Sequence, residues 1–518
     1  MKSDSGATRS VWMDVPPLPA RPPLDRDLRA DVCVVGAGRA GLTIAYLLAR
    51  EGLRVAVLDD GPTAGGETSR TTAHLTNVID DRYHWIEQVH GPDGARLAAE
   101  SHTAAIDTIE AIAEREQIAC DLVRLDAYLF AGPGDPRDEL ERELEAARRA
   151  GLLGVAWVDR APIEGFATGP CLRFPNQAQF HPLRYLQGVA DAIERSGGRI
   201  HGGTHVTAVH HGPPPRVETE GGVGVVADAI VVATNSPVHE MIGVHPKQAA
   251  YRTYVVAARV PRGVVTRALY YDTENPYHYV RLQPESAGGP DLLIVGGEDH
   301  KTGQADDADE RWAALEAWTR ERFPLAREFV ARWSGQVMET MDGVAFIGPD
   351  RSGSRVFIAT GDSGMGMTHS TIAGLLLRDL IAGRENPWAH LYDPGRVSLR
   401  AAGELAKENL NFVSKYADYV TGGDVGSADE IPPGEGAVLR RGLTKVAAYR
   451  DPSGALHEMS AVCTHLGCVV RWNSAEKSWD CPCHGSRFDS HGRVVNGPAT
   501  RDLAEKDTAQ PAAAWERA

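Results

Sequence analysis

The chain has 518 residues, 42% of them hydrophobic, which is enough apolar sequence for several folded domains of an ordinary globular protein. Its formal net charge of −16 argues against nucleic acid or an anionic membrane as a partner, because either would need a basic face. No apolar run approaches the length of a membrane span and the N-terminus lacks an apolar signal segment, so we expect a cytoplasmic protein.

The chain opens on a Pro-rich lead-in, residues 1–27, which we expect to be extended. An apolar strand at 30–35 then leads into a glycine-rich loop and an apolar helix, and a second strand at 54–58 ends on an acid. This series is typical of a dinucleotide-binding unit, although the loop alone is also compatible with a glycine turn that binds nothing. The predicted cofactor-binding residues here are Gly36, Gly38, Arg39, Ala40, Gly41 and Asp59, the last accepting from ribose hydroxyls.

The middle of the chain alternates between helical and extended patterns. Helices are predicted at 92–119, 136–150 and 183–196, and strands at 204–209 and 229–234. From 245 to 330 short strands follow one another, at 251–259, 268–272, 278–282 and 292–296. This pattern predicts an antiparallel substrate domain whose sheet covers the cofactor.

The glycine-rich loop does not decide between FAD and NAD, but two later segments favour FAD. Trp333-Ser334-Gly335, followed by Asp342-Gly343 and Ile347-Gly348, resembles a segment of the D-amino acid oxidase-like flavoprotein family. A strand at 356–360 then leads into loop 361–368 and an apolar helix, whose N–H groups and dipole would stabilise negative charge on a reduced flavin. An ordinary glycine-rich connection is the alternative for this loop. The family resemblance covers residues 28–395 and implies FAD as the cofactor.

The same resemblance implies roles for individual residues. It places Thr71, Thr72 and His74 beside the isoalloxazine ring and Val206 against the adenine. Two interpretations of His74 are open. In one it carries a covalent link to the flavin, and in the other it is an ordinary histidine whose ring is hydrogen-bonded to the backbone. Amino-acid oxidases of this kind bind the substrate carboxylate with an arginine, and Arg281 is the candidate for this role. The alternative for Arg281 is an ordinary strand residue whose charged tip is solvated. The predicted catalytic residues are Arg281, His74 and Tyr279, and the predicted flavin-loop residues are Gly361, Gly364, Gly366, Met367 and Thr368.

A helical connector is predicted at 396–420. After it come two short motifs of cysteine and histidine, here called boxes, with the patterns C-x-H and C-x-x-H. They supply two thiolates for one iron and two imidazoles for the other, which is the ligation of a Rieske [2Fe-2S] centre. A tetrahedral zinc site uses the same four ligands. Gly467, Gly485 and Ser486 favour the cluster, because they suit tight loops whose N–H groups point at sulfur. The predicted metal ligands are Cys463, His465, Cys481 and His484.

Both boxes resemble the Rieske family, over residues 421–505, and a tail follows at 506–518. In respiratory and photosynthetic Rieske proteins the two remaining cysteines form a disulfide, which implies a bond between Cys468 and Cys483 that is unusual in the cytosol. Those proteins have a tyrosine two residues after the serine, where this chain has Phe488. One hydrogen-bond donor to sulfur is then missing, so we expect a lower reduction potential than theirs.

Three domains are predicted. The first is an α/β FAD-binding Rossmann-like domain of the glutathione reductase and D-amino acid oxidase type, built from 28–100, 170–244 and 331–395. The second is an α+β antiparallel-sheet substrate domain built from 101–169 and 245–330. The third is the C-terminal all-β Rieske domain.

The predicted function is FAD-dependent oxidation of a small amine or amino-acid-like substrate at a C–H next to nitrogen. A [2Fe-2S] cluster takes one electron at a time, so FADH2 is expected to pass its electrons singly through the cluster to an external one-electron carrier. In the alternative, a partner reduces the cluster, which delivers electrons to FAD for a reductive or oxygen-dependent reaction. A pure electron-transfer module is the third hypothesis. The oligomeric state stays open, a homo-oligomer included.

Overall fold

A computed structural model of the chain describes residues 5–16, 18–132, 134, 137–237, 244–285, 288–397, 418–419, 421–442 and 444–505. Among these residues, no helix combines the length and the apolar character that a membrane crossing requires. The predicted connector at 396–420 lies mostly outside the described residues, as does the tail from 506 onward.

The α-helices of the described residues are α1 (Arg39–Arg50), α2 (Tyr83–Arg115), α3 (Arg137–Arg149), α4 (Pro182–Arg195), α5 (Ala308–Arg322), α6 (Gly366–Ile381) and α7 (Ala389–Tyr392). The strands before residue 400 are β1 (Leu28–Val35), β2 (Val55–Leu58), β3 (His74–Leu75), β4 (Val123–Phe130), β5 (Ala156–Val158), β6 (Cys171–Gln179), β7 (Arg199–His201), β8 (Val206–His210), β9 (Arg216–Thr219), β10 (Gly224–Val232), β11 (Gln248–Val260), β12 (Leu269–Asp272), β13 (His278–Pro284), β14 (Asp291–Lys301), β15 (Glu328–Thr340), β16 (Phe346–Pro349) and β17 (Val356–Thr360).

The first sheet is the predicted nucleotide-binding sheet, with strand order β16-β17-β10-β1-β2-β7. The strands from β17 to β7 run parallel, and β1 lies at the centre between β10 and β2. Val32 and Val34 of β1 pack into one hydrophobic core, and Cys33 and Val35 pack into another on the opposite face. The apolar run of β1 is therefore explained by burial on both faces of a parallel sheet.

The second sheet covers the first from the side of the substrate domain, with strand order β15-β11-β14-β13-β12-β4-β6-β3. One face of it packs on α5, through Tyr254, Val256 and Trp312. The predicted domain boundaries at 170 and 331 do not divide the sheets. Strands β6 and β15, which we assigned to the FAD-binding segments, belong to this sheet because β6 pairs with β4 and β15 pairs with β11 along most of their length.

The helix predicted at 92–119 begins earlier and ends earlier, as part of α2. Gly91 interrupts α2 with a φ of +79°, and Pro92 follows it in the first turn of the longer part. A glycine at positive φ and a proline at a helix start explain why the pattern reads as a new helix at residue 92.

The C-terminal domain is all-β, as predicted, and contains β18 (Glu435–Arg441), β19 (Thr444–Arg450), β20 (Leu456–Ser460), β21 (Arg471–Asn473), β22 (Ser478–Asp480), β23 (Arg487–Asp489) and β24 (Val494–Asn496). Strands β18 to β20 form one antiparallel sheet and β21 to β24 another. Loops 463–468 and 481–486 project from this framework. Gly467 and Gly485 adopt φ of +80° and +74°, which tightens each loop.

The N-terminal segment is more than an extended lead-in. Ser10 Oγ donates to the Ser69 carbonyl at 2.6 Å, and Trp12 Nε1 donates to the Thr71 carbonyl at 2.5 Å. Thr8 Oγ1 donates to Glu476 of the C-terminal domain at 2.6 Å. The beginning of the predicted lead-in therefore lies between the flavin-binding part and the C-terminal domain.

Buried ion pairs join the C-terminal domain to the rest of the chain. Glu476 accepts from Arg70 at 3.3 Å, and both side chains are fully buried. Arg487, also fully buried, donates to Glu67 at 3.2 Å. Charges buried at this depth are costly unless they are paired, so they hold the domain in one position.

Candidate functional site

The first cavity, of about 1350 Å³, lies at the carboxyl end of β1 and β2. Its lining includes Gly36, Gly38, Arg39, Ala40, Asp59, Val206 and Gly361 of the predicted cofactor residues. Residues 494–497 and Ala499 of the C-terminal domain complete the wall. Both domains therefore enclose this cavity, which the sequence could not indicate because the C-terminal wall lies far along the chain from both Gly36 and Gly361.

The geometry of the glycine-rich turn fits a dinucleotide. A Cβ on Gly41 would lie 1.8 Å from the Gly36 carbonyl oxygen, so only glycine permits the close packing of α1 on the turn. Gly36 itself has a φ of +109°. The N-terminus of α1 faces the cavity at Gly38, where backbone N–H groups and the helix dipole favour a pyrophosphate.

Asp59 lines the first cavity at the end of β2. Its carboxylate accepts from the Ala37 N–H at 2.5 Å and from the Gly61 N–H at 2.8 Å. Burial, together with the neighbouring Asp60, raises the pKa of Asp59 to about 6. The carboxylate thus stabilises the glycine-rich turn in addition to its predicted contact with a ribose.

The second cavity, of about 800 Å³, continues from the first across the ion pair between Arg39 and Asp362, which lines both. Its roof is the inner face of the second sheet, and its floor is formed by segment 71–76 and loop 361–368. The predicted residues in its lining are Arg39, Thr71, Thr72, His74, Tyr279, Gly364, Gly366 and Thr368. Met367 lies instead in the hydrophobic core and contributes to neither lining.

Arg281 does not occupy the position predicted for a carboxylate-binding residue. It shares a strand face with Tyr279, but it is fully buried and is absent from the cavity lining. Its Nη1 donates to the carbonyls of Thr72, Ala73 and Phe180 at 3.1, 2.7 and 3.0 Å. Through these bonds Arg281 stabilises the segment that carries His74, and it does not line the second cavity.

His74 presents a neutral imidazole to the second cavity. Nδ1 lies 3.0 Å from the Thr72 hydroxyl, and among the described residues Nε2 is buried without a hydrogen-bond partner. Burial, together with the neighbouring Arg281, lowers the pKa of His74 to about 3. A buried nitrogen without a partner is consistent with a group that meets a bound ligand.

Tyr279 and Asp299 define the roof of the second cavity together with Thr253. The Tyr279 and Thr253 hydroxyls lie 2.7 Å apart. Burial raises the pKa of Asp299 to about 7, and it raises the pKa of Asp80, on the opposite wall, to about 6. Neither aspartate was predicted from the sequence, since they come from segments more than 200 residues apart.

The four predicted cluster ligands come together on the two C-terminal loops. The rings of His465 and His484 lie 5.1 Å apart. The pKa of Cys463 is lowered to about 7, mainly by a hydrogen bond with Cys481 and also by the His465 backbone N–H. The thiols already accept hydrogen bonds from backbone N–H groups, and Nδ1 of His465 is buried without a partner among the described residues. Both features fit a site that binds a cluster through thiolates and imidazoles.

Cys468 and Cys483 form the predicted disulfide, with sulfur atoms 1.92 Å apart. The bond joins the two ligand loops directly. Phe488 is fully buried in the core of this domain. The expected effect of Phe488 on the reduction potential stays a prediction.

The cluster loops face the flavin-binding part of the same chain. Gln336 Nε2, in the lining of the second cavity, donates to the Gly485 carbonyl at 2.9 Å. The ring of His245 lies 5.0 Å from that of His465. One glutamine side chain therefore joins the second cavity to the residue that follows the predicted ligand His484.

Comparison with known proteins places both parts of the chain. The family model described as FAD dependent oxidoreductase (DAO) matches residues 31–380, and the model of the Rieske [2Fe-2S] domain matches residues 423–507. The chain is 32% identical over 507 residues to "Putative Rieske 2Fe-2S iron-sulfur protein YhfW" of Bacillus subtilis, covering 97% of this chain and 98% of that protein.

Two further relatives cover the flavin-binding part. Gamma-glutamylputrescine oxidoreductase of Escherichia coli is 28% identical over 378 residues, 70% of this chain and 85% of that protein. The crystal structure of glycine oxidase from Geobacillus kaustophilus has a TM-score of 0.61 at 22% identity, covering 71% of this chain and 99% of that one. The cofactors are accordingly FAD and a [2Fe-2S] cluster, which decides against zinc and NAD. The chain belongs to the DAO family of FAD-dependent oxidoreductases and carries a C-terminal Rieske [2Fe-2S] domain.

Proposed function

We propose that this protein oxidises a small amine or amino-acid-like substrate at the carbon next to nitrogen and delivers the electrons to an external one-electron carrier. Oxidation of R–CH2–NH2 at that carbon yields the imine R–CH=NH, two protons and two electrons. Bound FAD supplies a two-electron acceptor, and the cluster supplies a relay that carries one electron at a time. The names of the relatives, gamma-glutamylputrescine oxidoreductase and glycine oxidase, support an amine or amino acid as substrate.

The observation that carries the proposal is the bridge through Gln336. Its side chain lines the second cavity and donates to the Gly485 carbonyl at 2.9 Å, so the cluster loop and the cavity share one residue. This contact lies within one chain and is held by fully buried charges such as Glu476 and Arg70. A fixed short path favours electron transfer inside the molecule over a cluster that serves only an outside enzyme.

The proposed residue roles follow from the two cavities and the loops. Arg39, Asp59 and Val206 would bind FAD with the glycines of the first turn and those of loop 361–368. Cys463, His465, Cys481 and His484 would ligate the cluster. Tyr279 and His74 face the second cavity, where they orient a substrate against the flavin.

An anaerobic titration of the holoenzyme with amines and amino acids tests the proposal. We expect one donor class to bleach the flavin absorbance and then to produce the electron paramagnetic resonance signal of a reduced Rieske cluster. Reoxidation should be faster with an artificial one-electron acceptor than with oxygen. Bleaching by dithionite but by no organic donor would contradict the proposal, and faster reoxidation by oxygen would contradict the dehydrogenase assignment.

Replacing Gly485 with alanine is expected to slow electron transfer to the cluster without slowing flavin bleaching. The new Cβ would lie 2.3 Å from the Ala250 Cβ and 3.0 Å from Gln336 Nε2, so the loop has to move away from the second sheet. The measurement is stopped-flow absorbance after mixing the reduced donor with holoenzyme.

The matched control is Gly467→Ala in the other cluster loop. Both glycines have positive φ, so both substitutions cost about 1–2 kcal/mol of backbone strain. A Cβ on Gly467 meets only the Tyr419 hydroxyl oxygen, at 3.8 Å. Equal rates of cluster reduction in the two variants would show that the Gly485 contact has no part in the transfer.

A further inference from the structure

Two carboxylates in the second cavity lack a partner cation. Among the described residues, no ion pair involves Asp80 or Asp299, although both line the cavity. The nearest cations are committed elsewhere. Arg82 donates to the backbone carbonyls of Ile79, Asp80 and Asp272, while Arg311 pairs with Asp307 and His278 pairs with Asp272.

The surroundings of these carboxylates add negative charge. Burial raises the pKa of both Asp81 and Glu339, and the nearby Asp80 contributes to each of these shifts. Gly364 of loop 361–368 lies against this group, because a Cβ there would be 1.9 Å from Asp80 Oδ2. A cation in the cavity would stabilise the ionised form of these half-buried acids beside loop 361–368.

Three tyrosines form the rest of the acid-lined end. Tyr271, Tyr277 and Tyr279 line the cavity, and the Tyr277 hydroxyl donates to Asp80 at 3.2 Å. Tyr271 is only 4% exposed, and its hydroxyl has no hydrogen-bond partner among the described residues. Tyrosine rings attract ammonium groups, and a buried hydroxyl without a partner indicates a polar ligand atom.

Among the described residues, the same cavity offers no unpaired cation for a carboxylate. Its two arginines are paired, Arg39 with Asp362 and Arg70 with Glu476. Arg281 lies outside the lining, and its Nη1 donates to three backbone carbonyls. A substrate carboxylate next to the reacting nitrogen would face Asp80 and Asp299 without a compensating cation.

We infer that the second cavity binds the ammonium group of an amine that has no carboxylate on the carbon to be oxidised, with Asp80 and Asp299 as the anionic partners and the tyrosines around the cation. This inference rests on the proposed function and narrows its substrate class from amines and amino acids to amines. The ammonium supplies the positive charge that would pair with these two half-buried carboxylates.

The test compares pentylamine with norleucine, which is the same amine with a carboxylate on the carbon next to nitrogen. Dissociation constants are measured with oxidised holoenzyme at about pH 8, where both carboxylates are ionised, from flavin difference spectra and calorimetry. Pentylamine should bind at least about tenfold more tightly than either enantiomer of norleucine. Norleucine binding as tightly as pentylamine, or more tightly, would overturn the inference.

Two variants locate the cation. Asp299→Asn and Asp80→Asn should each weaken pentylamine binding by at least about tenfold, since each removes a half-buried anionic partner at nearly constant volume. Asp309→Asn, at an exposed position on α5, is the matched control and should leave the constant unchanged. Unchanged pentylamine binding in both cavity variants, with normal flavin content and unfolding temperature, would also overturn the inference.

The experiments distinguish a failure of this inference from a failure of the proposed function. Bleaching by amino acids but not by amines would reject the amine assignment and keep the oxidation of a carbon next to nitrogen. Tight pentylamine binding that depends on Asp299, without bleaching by any donor, would uphold the binding site and reject the proposed reaction.

Discussion

Replacing Cys481 with serine is expected to remove the [2Fe-2S] cluster and to leave the flavin in place. Serine keeps the volume of the side chain but does not supply a thiolate, which iron requires at this position. Cys481 lines neither of the two cavities. The variant should therefore still bleach with substrate, while reduction of a one-electron acceptor is lost.

Iron and acid-labile sulfide analysis, the electron paramagnetic resonance spectrum and acceptor reduction measure this effect. Cys120→Ser is the matched control, because Cys120 is also a buried free thiol but lies far from the loops in the flavin-binding part. The disulfide between Cys468 and Cys483 should persist in both variants and maintain the loop framework. A Cys481→Ser protein that reduces the acceptor at the wild-type rate would show that electrons leave the flavin by another path.

Replacing Glu476 with alanine is expected to destabilise the protein by about 3–5 kcal/mol, because it removes the anion from a buried network of cations. Glu476 accepts from Arg70 at 3.3 Å and lies 3.8 Å from Arg252, and all three side chains are at most 1% exposed. It also accepts from the Thr8 backbone N–H at 3.1 Å. Its loss leaves the buried guanidinium of Arg70 without its carboxylate and leaves Arg252 with Asp480, at 3.6 Å.

Thermal unfolding measures this effect, and the unfolding temperature should fall on the order of 10 °C. Asp306→Ala is the matched control at the same domain boundary, where the exposed Asp306 accepts from the Ser474 N–H at 2.9 Å. An exposed contact of this kind contributes less than about 1 kcal/mol. If Glu476→Ala unfolds at the same temperature as Asp306→Ala, the buried pairs do not hold the domain.

Local motifs were predictable because their chemistry requires residues close together in the chain. The turn from Gly36 to Gly41 has to bend within a few residues to meet a helix start, and together with the flanking strands and Asp59 it indicates a dinucleotide. The cluster boxes likewise place two ligands each within one loop, Cys463 with His465 and Cys481 with His484. The comparisons confirm FAD, which the family resemblance implied, and the [2Fe-2S] cluster, which the boxes predicted.

Arg281 shows where such reasoning stops. Alternation along β13 correctly places it on the same face as Tyr279. The pattern cannot tell which part of that face lies over the cavity and which part lies under segment 72–74. That depends on the pairing of β3 with β6 and on the carbonyls of Thr72 and Ala73, which the guanidinium satisfies.

The sequence by itself determined the family, the two cofactors and the cluster ligands proposed here, because each depends on short spacings and on side-chain chemistry. Only the tertiary structure decided that residues 494–497 close the first cavity, that Arg281 lies outside the lining of the second, and that Asp80 and Asp299 line this second cavity with no ion pair among the described residues. The physical reason is that these features arise from packing between segments hundreds of residues apart. In such contacts between distant segments, the burial of charge determines which groups are paired and which are left for a ligand, and the local sequence pattern does not.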